Sequence, residues 1–149
     1  MKARTLRWLI NLWPPFLFAG IRVTRLDDDF HAADVELRLG RLNRNWVGTH
    51  FGGSLFAMTD PFYMLMLIHV LGRDYVVWDK AATIDYVSPG RGTVTAAFRL
   101  DPARVDEIRR ACADGSKALP VFHCEILDET RTLVATVDRT VYVRRKRRD

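Results

Sequence analysis

Residues Asn45 to Asp60 read N-W-V-G-T-H-F-G-G-S-L-F-A-M-T-D, and the chain then stays apolar on nearly every side as far as Leu71. A helix apolar all round is enclosed either by a fold or by a membrane. Asp60, Pro61 and His69 inside the run argue against a bilayer span, and the alternating segments on both sides argue for a protein core. Gly52 and Gly53 allow a tight turn into this helix, whose first amides have no intrahelical partner and are free to face an anion or a polarised carbonyl. Asp60 stands seven residues past Gly53, close to two helical turns, which predicts that both lie near one side of the helix. A carboxylate enclosed there costs on the order of several kcal/mol unless paired. It is read either as a base or nucleophile or as one half of an ion pair with Lys80. Pro61 lacks an amide proton and collides with the carbonyl of Ala57, which predicts a kink beside the carboxylate.

Outward from this segment the pattern changes period. From Gly20 to Leu42, Ile21, Val23, Val35, Leu37 and Leu39 alternate with polar residues, predicting two half-buried strands around the turn D-D-D-F-H. Tyr75 to Ser88 reads as a strand ending at S-P-G-R-G, and Val94, Ala96, Phe98 and Leu100 mark another. Asp101 and Pro102 form an N-cap and first helical position, so a second helix is expected over about 102–114, closed by Gly115. Two further strands are expected near Pro120–Leu127 and Leu133–Val143, with D-E-T-R between them. Strands joined by short turns favour an antiparallel sheet, and the apolar helix is the natural filling for its inner face. One sheet leaves part of that helix uncovered, so a second copy is expected to cover it.

At 149 residues, 48% hydrophobic and 28% charged, the chain has the size and composition of one soluble domain spanning 1–149. Its net charge of +5 owes much to Arg144, Arg145, Lys146, Arg147 and Arg148, read as a solvated basic tail over 144–149, with no nucleic-acid role expected. Cys112 and Cys124 show neither metal spacing nor a disulfide framework, which points to a reducing, cytoplasmic setting. Residues 1–19 place Lys2, Arg4 and Arg7 before W-L-I-N-L-W-P-P-F-L-F-A. This segment is too short and too broken for a bilayer span, and reads as a short helix ending at Pro14 and Pro15 and packed on the domain. A membrane-surface contact through Trp8 and Trp13 is the alternative.

These residues resemble the hotdog fold, an α+β arrangement in which a curved antiparallel sheet wraps a long central helix and two copies pair. Asn45-x-x-Gly48-Thr49-His50-Phe51-Gly52-Gly53 followed by Asp60 resembles the phenylacetate-pathway type of hotdog acyl-CoA thioesterase, whose pattern is N-x-x-G-x-x-H-G-G with an aspartate seven residues later. D-Y-V-S-P-G-R-G resembles the following strand and turn, and the N-terminal W-P-P with G-G-S-L-F-A-M-T-D-P-F-Y-M-L-M is similar to a hotdog branch of unknown function. One position departs from the pattern: Phe51 stands where the family has histidine, and His50 comes one place earlier.

The resemblance implies cofactor-free and metal-free hydrolysis of acyl-CoA thioesters at the interface of a homodimer, with a tetramer as the further alternative. It implies that the Gly52 amide polarises the thioester carbonyl, that Asp60 of the other subunit is base or nucleophile, and that Asn45 holds water or thioester. His50, Gly53, Asp79 and Lys80 are supporting positions, Asp79 standing where some relatives carry a serine. Phe51 and the flexible thioether of Met58 are the expected acyl contacts, and Arg44 and Arg91, with Arg41, the expected phosphate contacts. A hotdog dehydratase lacks its acid, because Met64 stands fourteen residues past His50. The non-enzymatic alternative is an acyl-CoA- or lipid-binding hotdog that has lost turnover, motivated by Phe51.

Overall fold

The structure, a computed structural model, describes residues 1–146. Its elements are α1 (Ala3–Leu12), α2 (Pro14–Ala19), β1 (Ile21–Leu26), β2 (Ala32–Arg38), α3 (Gly52–Ala57), α4 (Phe62–Leu71), β3 (Tyr75–Tyr86), β4 (Thr93–Arg99), α5 (Pro102–Ala111), β5 (Lys117–Ala118), β6 (Val121–Leu127) and β7 (Leu133–Arg145). The strands make one antiparallel sheet in the order β1-β2-β4-β6-β7-β3, with the short β5 paired to β7. The curved sheet and apolar central helix expected from the resemblance are both present.

Alternation decides which face is inside. Val35 and Leu37 of β2, Val94 and Phe98 of β4, Ile126 of β6, and Val137, Val141 and Val143 of β7 are all buried toward the helix. Against them α4 buries Phe62, Tyr63, Met66, Leu67 and Leu71. Its rings interlock with the sheet: Phe62 stacks on Phe98 at 4.7 Å and Tyr63 on Phe122 at 4.4 Å. The Tyr63 hydroxyl donates to the carbonyl of His123 at 3.2 Å. Gly52–Leu71 is long and apolar enough to cross a membrane by length and composition, yet half of that stretch is buried inside this fold.

The central helix is interrupted where Pro61 predicts a kink. α3 ends at Ala57, and the amides of Thr59 and Asp60 turn back to Phe56 and Ala57 at 3.1 Å each, so the Ala57 carbonyl denied an amide by Pro61 is satisfied by a tighter turn. The turn removes the basis for placing Gly53 and Asp60 on one face, because helical spacing does not run through it. At the N-terminus the prolines begin a helix as well as end one: Pro14 and Pro15 occupy the first positions of α2, where a missing amide costs nothing. Asp101 caps α5 by accepting from the Ala103 amide at 2.9 Å.

Part of the charge run read as a basic tail belongs to the sheet. Arg144 and Arg145 are paired in β7, and the Lys146 amide donates to the Asp74 carbonyl at 2.8 Å. Arg147 and Arg148 lie outside the described residues.

Candidate functional site

Two clusters surround the central helix. The first is a cleft of about 370 Å³ at the start of α3, lined among others by Asn45, His50, Gly52, Tyr86 and Ser88. Phe51 is the residue preceding α3 and makes no side-chain cap, so Gly52 and Gly53 present amides without an intrahelical partner. Both glycines sit where a Cβ would meet an aromatic side chain. A Cβ on Gly52 would meet the Tyr86 hydroxyl at 2.9 Å, and one on Gly53 would run into the ring of Phe51. Phe51 itself is 58% exposed, faces Phe18 and Arg44 across a shallow depression, and leaves the cleft to its neighbours.

Asn45 is the organiser of the loop that leads into this cleft. Its Oδ1 accepts from the amides of Val47 and Thr49 at 3.1 and 3.0 Å, and its Nδ2 donates to Thr49 Oγ1 at 2.8 Å and the His50 carbonyl at 3.1 Å. Every hydrogen-bonding position of the amide is thereby engaged, which leaves no free group to hold a water directly. His50 is 3% exposed, and its Nε2 meets the Gly92 carbonyl at 3.0 Å while Nδ1 is buried with no partner. Burial holds the imidazole below its ordinary pKa, so it is neutral near pH 7. Arg44 bridges His50 through the backbone, and Arg91 is exposed on the turn whose Ser88, Pro89 and Gly90 line the cleft.

The second cluster is built around a residue the sequence reading passed over. Arg139, 3% exposed, stands between Asp79 at 3.2 Å and Asp60 at 3.4 Å, with Nη2 3.3 Å from Thr59 Oγ1 and its guanidinium 5.5 Å from the centroid of Phe56. The signal was available: Arg139 sits in the inward register of β7, among Ala135, Val137, Val141 and Val143, where a charge requires a partner. The carboxylates it joins differ. Asp60 has 60% of its side chain exposed, so it is a surface group rather than an enclosed one. Asp79 keeps 18%, and one oxygen has no partner. Burial, opposed by Arg139 and reinforced by the Asp60 charge, pushes Asp79 up to about 6.

Lys80 does not pair with Asp60. It is the extra residue of a β-bulge between Asp79 and Ala81 and points to solvent. The bulge switches the inward set of β3 from Val77 and Asp79 to Ala82, Ile84 and Tyr86, which brings Tyr86 against Gly52. Met58 is wholly buried in the core and so offers no wall to a ligand. The structure therefore joins Asp60 to Asp79 through Arg139, and places Gly52, Asn45 and His50 together elsewhere; Asp60 and Asp79 do not line the cleft of their own chain. Among the described residues no group of three or more His, Cys, Asp or Glu could hold a metal ion.

No curated protein matches the sequence significantly. The structure is similar to a probable thioesterase of unknown function from Pseudomonas aeruginosa, with a TM-score of 0.85 and 19% identity over 98% of this chain and 97% of that one. It is similar also to a thioesterase from Haemophilus influenzae, TM-score 0.71, 16% identity, covering 97% and 92% of the two chains. A third similar structure is the PaaI protein of the E. coli phenylacetic acid degradation operon, TM-score 0.62, 18% identity, 97% and 92% covered. These likenesses show the hotdog fold over the full length of the chain. The profile of one family matches residues 2–143, and the chain belongs to that family, the Domain of unknown function (DUF4442).

Proposed function

We propose that the protein hydrolyses acyl-CoA thioesters at a site shared between two copies. The observation that carries this reading is the division of labour within one chain: the cleft holds the helix-N-terminal amide of Gly52, while the exposed carboxylate of Asp60 stands outside it, available to a second copy. The twelve-residue β3 at one end of the sheet order is a pairing edge of adequate length for that copy. The full-length likeness to thioesterases of the hotdog fold supports the same reading.

In this mechanism the thioester oxygen lies at the Gly52 amide, which gains strength as the carbonyl becomes an oxyanion. Asp60 of the partner takes a proton from water, the hydroxide oxygen bonds to the carbonyl carbon, and the carbon–sulfur bond breaks. The proton passes to the thiolate, giving a carboxylic acid and free CoA thiol. Arg139 holds Asp60 in place through the 3.4 Å contact between them. Asn45 acts through the loop, fixing Thr49 and His50 so that the Gly52 amide faces the cleft, and Tyr86 closes one wall. Arg44, on the depression beside Phe51, and Arg91, on the turn next to Gly90, are the residues we assign to the CoA phosphates. The buried, unbridged Cys112 and Cys124 fit a cytoplasmic setting.

Release of thiol from short, aromatic and long acyl-CoAs tests the reading, with Asp60→Asn expected to abolish it and leave the fold intact. Binding of acyl-CoA without thiol release by the unaltered protein would instead establish the non-catalytic alternative, which Phe51 at the usual histidine position favours.

A further inference from the structure

A larger groove, of about 800 Å³, lies between α1 and the strands β1 and β2, and shares no lining residue with the cleft. Arg4, Arg7, Arg22 and Arg38 line it beside Trp8, with Glu36 as the single carboxylate. Glu36 is already matched by Arg38 at 2.8 Å, and Arg7 is fixed by donating to the Thr24 carbonyl at 2.9 Å. Arg4 and Arg22 remain exposed, and no Asp or Glu occurs before Asp27. The apolar side of this region is also open. α1 buries Ala3, Leu6 and Ile10 against the sheet and turns Trp8, Leu9 and Leu12 outward, 62%, 46% and 49% exposed. Trp13 and Leu17 continue the surface into α2 at 49% and 52%.

We infer that the α1–α2 face docks on the surface of an anionic lipid bilayer, with tryptophan and leucine in the headgroup boundary and the arginines on lipid phosphates. An exposed apolar helix face bordered by uncompensated arginine is the pattern that anionic interfaces select, because apolar insertion and charge attraction act at the same depth. A second copy is the competing occupant. The pairing edge β3 lies at the far end of the sheet order from β1, on which α1 packs, and a copy of the same face would bring like charges together. The inference does not depend on thioester hydrolysis.

Co-sedimentation of the full chain with phosphatidylcholine vesicles, with and without phosphatidylglycerol, tests it. Binding is expected only to the anionic vesicles, weakened by salt, and reduced about tenfold or more in Arg4→Gln/Arg22→Gln. Trp8→Ala/Leu12→Ala should weaken it too, while both variants keep the melting temperature and solution mass of the unaltered protein. Absence of binding, equal binding to neutral vesicles, or undiminished binding by the arginine variant would overturn the inference. So would a drop in solution mass on Trp8→Ala/Leu12→Ala, which would assign the face to a second copy.

Discussion

The two halves of the central helical segment obey different physics. α4 buries five side chains against the sheet, whereas α3 buries only Leu55 and leads into a turn carrying an exposed carboxylate. Both are strongly apolar in sequence, so the difference is one of placement: α4 lies across the aromatic centre of the sheet, and α3 runs out toward the cleft. Packing therefore concentrates in one half and chemistry in the other, with Pro61 at the boundary. The half that gives up packing retains groups that can face a ligand.

The largest effect that would sharpen this contrast is in α4. Phe62→Ala removes a ring stacked on Phe98 and next to Phe16, and should cost about 3–5 kcal/mol in urea unfolding, with activity per folded molecule retained. Asp60→Asn should do the reverse, lowering kcat by about a hundredfold or more, equivalent to about 2.7 kcal/mol in the barrier, while changing stability by less than about 1 kcal/mol. Stability lost in step with activity there would erase the distinction between the halves. Gly52→Ala sets a Cβ against the Tyr86 hydroxyl and should destabilise by about 1–3 kcal/mol, with part of the loss recovered in the double variant with Tyr86→Ala.

The smallest effect is a pH dependence. Asp79 titrates in the folded protein at about 6 against an ordinary 3.8, so the folded state binds the proton more tightly. This stabilises the fold at acid pH, and the contribution fades as pH rises between 3.8 and about 6. Asp79→Asn should flatten the melting temperature over that window; an unchanged slope would show that the carboxylate is better solvated in the assembled protein.

Much of the fold was legible along the chain. Alternation located β3, β4, β6 and β7 to within a residue or two and found β1 and β2 while running on to Leu42, past the end of β2 at Arg38; Asp101-Pro102 marked the start of α5, and Pro61 marked the break in the helix. The two-residue β5 carried too little pattern to find, and Pro14 was read as an end because a proline that stops one helix can equally start the next. The site was legible only in part. Gly52 and Asp60 stood out as local anomalies, but their surroundings did not.

Local signals are readable because they involve neighbours: periodicity, caps and proline geometry act over one or two turns. What joins Asp60 and Asp79 is Arg139, separated from them by 79 and 60 residues. That meeting depends on strand register, and one bulge at Lys80 decides which face of β3 looks inward. The sequence alone determined a sheet around a broken apolar helix with glycines at its start. Only the tertiary structure decided that the partner of Asp60 is a buried arginine on the last strand, that Asn45 is occupied by its own loop, and that the carboxylate of Asp60 does not line the cleft that holds the amide of Gly52.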